Sequence, residues 1–119
     1  MGPEDIARYA LALPEVTAEQ PFGPETDVFK VAGKIFAIVS PDASPPRVNL
    51  KCDPMLALHL REQHPAVTSG YHMNKKHWNT LLLDGTVTND EVEEMLEHSY
   101  ERVVAGLRRD LRKRIGWQR

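Results

Sequence analysis

The stretch DVFKVAGKIFAIV, residues 27–39, contains two runs of β-favouring residues on either side of Gly33. A glycine in a two-residue turn is the usual connection of a β-hairpin, so the stretch predicts two antiparallel strands. The turn can be Ala32-Gly33 or Gly33-Lys34. In both cases each residue of one strand pairs with a residue of the other whose number has the opposite parity, so the two turns predict the same faces. One face of the hairpin is therefore predicted to carry Phe29, Val31, Phe36 and Ile38.

The segments around this hairpin predict the remaining layers. Residues 47–52 (RVNLKC) alternate between polar and apolar residues, a pattern typical of a sheet that is covered on one side only. Helices are predicted at 3–13, after Asp53-Pro54, and after the capping box that begins at Thr88. The predicted fold is an α+β two-layer sandwich in which helices cover one face of an antiparallel sheet and leave the other partly open.

Length and composition are those of one soluble domain. The 119 residues suffice for a single core, and 41% hydrophobic with 27% charged residues is an ordinary balance. We therefore expect one domain over residues 1–119, with a basic C-terminal extension at about 108–119. No apolar run reaches the roughly 20 residues of a membrane span, so no membrane partner is expected. The single cysteine, Cys52, cannot form an intramolecular disulfide and fits a cytoplasmic location.

Charge is segregated along the chain although the net charge is only −2. Residues 28–78 hold seven Lys and Arg against three acids, whereas residues 79–105 hold one Arg against seven acids. Charges of one sign that gather in one part of a protein create a local electrostatic potential that the net charge of the chain does not show. The cations expected on the open face and its rim are Lys30, Lys34, Arg47, Lys51, Lys75 and Lys76.

The segment GYHMNKKHWNT, residues 70–80, adds aromatic and amide side chains to two of these lysines. Cations beside aromatic rings are the residue types that bind phosphates and stack on bases, so we predict nucleic-acid contacts there. The residues added to the predicted interface are His77, Trp78 and Asn79. The alternative is that these surface lysines serve only solubility.

A second functional hypothesis is a small-ligand or anion pocket, which could also be catalytic, around Tyr71, His72 and Trp78. We expect neither a metal site nor a cofactor, because the histidine spacings match no tight zinc pattern. No nucleophile motif or phosphate-binding glycine loop is present, so no catalytic residue is assigned and enzymatic activity is not expected.

Five motifs resemble the MmcQ/YjbR family, in the same order and over nearly the whole chain. They are PFGP (21–24), VFKVAGKIFA (28–37), LKCDP (50–54), GYHMNKKHWNT (70–80) and LDG (83–85). The resemblance implies a small bacterial cytoplasmic protein with a CyaY-like (frataxin-like) fold. It also implies the "double wing" arrangement from which DNA binding has been proposed.

Carried over by position, the lysines shared by that family fall on Lys30, Lys34, Lys51, Lys75 and Lys76, with His77, Trp78 and Asn79 beside them. The predicted partner is therefore DNA, bound by a monomer or a weak homodimer. A protein-interaction or iron-handling role is suggested only by the frataxin-like architecture.

Overall fold

The computed structural model describes residues 1–70 and 73–117, which form four helices and six strands. In chain order these elements are α1 (Pro3–Leu11), β1 (Val16–Glu19), β2 (Asp27–Val31), β3 (Lys34–Ser40), β4 (Arg47–Lys51), α2 (Pro54–Gln63), β5 (Val67–Ser69), β6 (Trp78–Leu82), α3 (Asn89–Ala105) and α4 (Arg109–Ile115). The strands form one sheet in the order β1-β2-β3-β4-β6-β5, with every neighbouring pair antiparallel. The predicted α+β fold is confirmed.

The two faces of the sheet differ in what covers them. One face packs against the helices and contributes to the core Phe29, Val31, Phe36, Ala37, Val39, Val48, Leu50, Val67 and Leu81. Because side chains alternate along a strand, the register assigns the intervening residues to the opposite face. We call this second surface the open face; it includes Lys30, Ile38, Arg47, Asn49, Lys51, Thr68, Trp78 and Thr80. Its middle is nevertheless buried at Val28, Asn49 and Thr80.

The β2–β3 hairpin turns at Ala32-Gly33, where φ is 49° and 78°. Two positive φ angles are typical of the turn whose twist matches a hairpin. Beyond the turn, the register shifts between Phe29 and Lys30, where β3 contains a bulge. An extra residue reverses the inside–outside alternation, so Val39 enters the core and Ile38 lies on the open face. The prediction that Ile38 shares a face with Phe29 is therefore wrong.

Ser99 of α3 bridges the sheet beside this bulge. The β3–β4 register runs only as far as the pair of Ala37 and Leu50. One residue further on, the Lys51 N–H donates to Ser99 Oγ (2.9 Å), and Ser99 Oγ donates to the Phe36 carbonyl (2.5 Å). The serine hydroxyl thus occupies the place of a strand-to-strand hydrogen bond. Through these two hydrogen bonds the fully buried Ser99 connects α3 to the end of β4.

Tyr100 is the largest fully buried side chain of the core. Its ring meets Phe36 edge-on, with the centroids 5.5 Å apart. Its hydroxyl donates to the Pro14 carbonyl (2.8 Å), which ties α3 to the segment after α1. A buried tyrosine therefore both fills the core and satisfies its polar atom.

The helix starts agree with the sequence signals. Asp53 caps α2 by accepting from the N–H groups of Met55 and Leu56, both at 3.1 Å, and these bonds lower the pKa of its carboxyl group. Thr88 Oγ1 accepts from the Glu91 N–H (3.3 Å) at the start of α3. Met55 in the first turn of α2 is 75% exposed, so it does not belong to the buried side of that helix.

The C-terminal segment is a packed helix rather than a free extension. α3 ends at Ala105 with Gly106 as its C-cap, and α4 begins after a short break. Ile115 is buried in the core, and the Trp117 ring packs edge-on against Tyr100 with the centroids 5.2 Å apart. The basic extension predicted at 108–119 therefore includes an ordered, anchored part up to Trp117.

Candidate nucleic-acid interface

Four strand ends meet at one end of the sheet. Since the neighbouring strands are antiparallel, the ends of β2 and β4 lie beside the starts of β3 and β6. The register pairs Lys51 with Trp78, and the Cys52 N–H donates to the His77 carbonyl (2.8 Å). This end also carries the turn before β6. We call its four lysines the cationic end: Lys34, Lys51, Lys75 and Lys76.

The turn before β6 is fixed by Asn74. Its side-chain Oδ1 accepts from the Lys76 N–H (2.9 Å), and its carbonyl accepts from the Trp78 N–H (3.0 Å). An asparagine that bonds the backbone two residues on is a common stabiliser of such turns. Lys75 and Lys76 are both exposed as a result, while the backbone that carries them is held.

Trp78 lies half-buried on the open face, directly across from Gly70. The Gly70 N–H donates to the Trp78 carbonyl (2.8 Å). A Cβ at Gly70 would meet the Trp78 Cβ at 2.7 Å, closer than carbon atoms tolerate. Glycine is therefore required by the close approach of the tryptophan. Tyr71 and His72, the other residues of the predicted ligand pocket, lie outside the described residues.

Arg61 of α2 holds this turn from the helix side, a role that the sequence interpretation missed. Its Nε donates to Asn79 Oδ1 (2.7 Å), and its Nη2 donates to the carbonyls of Lys75 and Trp78, the latter at 3.3 Å. A guanidinium group supplies several donors in one plane, so one side chain can serve three acceptors. The sequence feature that could have indicated this role of Arg61 is its position on α2, four residues after the buried Ala57.

Asn79, included in the predicted interface, is only 5% exposed and points toward α2. Its amide donates to the Ala57 carbonyl (3.3 Å) and accepts from Arg61. The amide is thus committed to the scaffold and does not contact the surface. His77, the other added polar residue, is half-buried at the start of β6.

Two further predicted cations stand apart from the cationic end. Lys30 lies on the open face but forms an ion pair with Glu19 of β1 (2.7 Å). Arg47 is at the opposite end of β4 from Lys51, roughly 13 Å away at 3.3 Å per residue. The six predicted cations therefore do not form one cluster: four gather at the cationic end, one is paired, and one is distant.

A depression of about 300 Å³ lies at the cationic end on the helix side of the sheet. It is lined by Lys34 and Lys51 together with Arg102 of α3, which the sequence analysis did not select. Arg102 also lies 3.9 Å from Asp53, a long ion pair between exposed groups. Lys34 thus extends the cationic end around the sheet edge instead of lying on the open face.

Cys52 is not a reactive thiolate. It is 4% exposed, and burial raises the pKa of its thiol to about 11, so the group is neutral near pH 7. Within residues 1–70 and 73–117, no three His, Cys, Asp or Glu side chains are arranged to hold a metal ion. Among the helices of the same residues, none has the length and apolar character of a membrane span.

The fold and this site define a small α+β domain with a cationic sheet end beside a tryptophan. Residues 11–102 match the family model YjbR, and the chain belongs to the YjbR family. It is 40% identical over 112 residues to the uncharacterized protein YbdF of Escherichia coli O157:H7, covering 94% of this chain and 92% of that one. It is 32% identical over 109 residues to the uncharacterized protein YjbR of Escherichia coli K12, covering 92% of each.

Solved structures of similar proteins share the architecture. Protein DR2400 of Deinococcus radiodurans, a DUF419 domain, superposes with a TM-score of 0.91 at 36% identity, over 98% of this chain and 89% of that one. A Pseudomonas syringae protein superposes with a TM-score of 0.76 at 27% identity, over 86% of this chain and 98% of that one. The resemblance to the MmcQ/YjbR family is therefore confirmed.

Proposed function

We propose that this chain is a non-enzymatic DNA-binding protein that contacts backbone phosphates through its cationic end. One observation carries the proposal. Lys34, Lys51, Lys75 and Lys76 come from separate strand ends and one turn, yet none forms an ion pair with a carboxylate among the residues that the structure describes. Four unpaired ammonium groups on one edge attract a polyanion.

Trp78 supports a nucleic acid over other polyanions. The residue is half-buried on the open face beside Lys51, so part of its surface is exposed to solvent. Every base has a π-face, and stacking on an aromatic side chain is largely independent of sequence. We therefore expect binding with little sequence preference, and tighter binding to single-stranded than to double-stranded DNA at equal length.

The placement of the helices also argues for backbone rather than base recognition. α1, α2, α3 and α4 pack on the face of the sheet away from Trp78, so none is presented as a recognition helix beside it. A bacterial DNA partner is consistent with a cytoplasmic location and with the single unpaired Cys52. We propose a monomer as the binding unit, because the cationic end is complete within one chain.

The test is a fluorescence-anisotropy titration of labelled DNA at several salt concentrations. Neutralising four phosphates gives a slope of log K against log salt of about −3 to −4 on duplex DNA. Lys75→Gln/Lys76→Gln should reduce that slope by about two and weaken binding at every salt concentration.

The matched control is Arg109→Gln/Lys113→Gln, which removes the same charge from exposed positions of α4. It should leave the slope close to that of the wild type. Absence of DNA affinity at low salt by folded protein, or equal losses in the two double variants, would refute the assignment to the cationic end.

A further inference from the structure

A cavity of about 190 Å³ lies between α2, α3 and the helix-facing side of the sheet. Apolar side chains form most of its wall: Leu50, Leu56, Leu60, Val67, Leu81 and Met95. Apolar cavities of about 150 Å³ are known to accept benzene, so a single six-membered ring fits this volume. Lys51, which the β4–β6 register assigns to the open face, also borders the cavity, whereas Trp78 does not.

The polar groups in the inner wall are already satisfied by the protein. The Asn79 amide bonds to Arg61 and to the Ala57 carbonyl, and His98 Nε2 accepts from the Asp53 N–H (3.1 Å). Cys52 contributes a neutral thiol. A ligand among these apolar side chains therefore needs an uncharged, apolar body, since the Asn79 amide and the His98 ring nitrogen already have partners.

The mouth of the cavity carries two carboxylates. Glu91 and Glu94 lie three residues apart on α3, so both side chains stand on one side of the helix, and both residues are exposed. Glu91 also contacts His64 Nε2 at 3.2 Å. An ammonium group at the mouth would meet this negative potential while the rest of the ligand stays among the apolar side chains.

We propose that this cavity binds a small primary amine whose ring or branched alkyl body fills the apolar space and whose ammonium group faces Glu91 and Glu94. The site shares Lys51 with the proposed DNA contacts, but its apolar wall and both carboxylates lie on the helix-facing side of the sheet. Apolar volume selects the body of the ligand, and the carboxylate pair selects its charge.

The test compares three ligands that share one ring: benzylamine, benzyl alcohol and benzoate. Each is titrated into the full chain while two-dimensional NMR spectra are recorded. We expect saturable shifts at Leu60 and Met95, with benzylamine about three- to fivefold tighter than benzyl alcohol and benzoate weakest. Absence of saturable shifts at these residues, or equal affinity for the three ligands, overturns the proposal.

Variants separate the two parts of the site. Glu94→Gln should reduce the preference for the amine while keeping the affinity for benzyl alcohol. The matched control Glu93→Gln changes the same charge one residue away. Glu93 does not line the cavity but a neighbouring depression that Glu94 also borders, so this variant should keep the preference. Leu60→Phe should fill the cavity and remove binding of both ligands. Binding that persists in folded Leu60→Phe protein also overturns the proposal.

Discussion

The buried hydroxyl of Ser99 offers the sharpest test of how the cationic end is built. Ser99→Ala removes one acceptor and one donor at a position with no solvent exposure. The Lys51 N–H and the Phe36 carbonyl then lose the partners now at 2.9 and 2.5 Å. An unsatisfied buried polar group costs about 1–3 kcal/mol, and partial relaxation around the bulge recovers some of this. We expect the free energy of unfolding to fall by about 2–4 kcal/mol.

Urea denaturation followed by circular dichroism measures this change. The midpoint should move to lower urea with little change in the m-value, and Tm should fall by about 6–16 °C for a chain of this length. The control is Ser40→Ala at the other end of β3, half-buried and without a side-chain hydrogen bond in the described residues. A loss below about 0.5 kcal/mol for Ser99→Ala, or an equal loss for Ser40→Ala, would contradict the bridging role.

Two further predictions concern the surroundings of the same end. Arg61→Gln should lower the free energy of unfolding by about 1–2 kcal/mol. It should also speed amide hydrogen exchange at Gly70 and Trp78 but not in the middle of α3, and unchanged exchange at Gly70 and Trp78 would contradict the proposed role of Arg61. Burial raises the pKa of the Cys52 thiol from its ordinary value of 9.0 to about 11, so the contribution of the neutral thiol to stability is present below pH 9 and is lost as pH rises through 11. As the pH rises from 9 to 11, the free energy of unfolding measured in urea should fall by about 2–3 kcal/mol more for the wild type than for Cys52→Ala. The same pH dependence in both proteins would contradict this prediction.

Local chemistry made most of the fold predictable. The caps at Asp53 and Thr88 and the turn at Ala32-Gly33 each depend on a few adjacent residues, and all three are found. The bulge at Phe29/Lys30 has no such local mark, because it depends on how α3 docks against β3 and β4. The packing of Trp117 on Tyr100 is equally nonlocal, so the ordered α4 could not be inferred from a basic segment.

The site was predictable in composition but only partly in geometry. Alternation along β4 correctly placed Lys51 and Leu50 on opposite faces of the sheet. Alternation within one strand cannot show an ion pair between strands, such as that of Lys30 with Glu19 of the edge strand β1. Asn79 illustrates a second limit: one residue after Trp78, its side chain must point to the other face of the sheet. The sequence predicts a strand over 77–83 that includes both residues, so alternation alone would have removed Asn79 from the interface.

The anchoring of the cationic end explains how its four lysines can keep their positions without an ion pair among the residues that the structure describes. Like charges gathered on one edge repel, and proteins commonly offset such repulsion with neighbouring carboxylates. Here the helices hold the backbone instead: Ser99 of α3 binds the Lys51 N–H, and Arg61 of α2 binds the carbonyls of Lys75 and Trp78. Because both anchors act on main-chain atoms, the ammonium groups need no acidic partner to keep their positions. A polyanion can then approach without first displacing an internal ion pair, whereas at Lys30 it would have to displace Glu19.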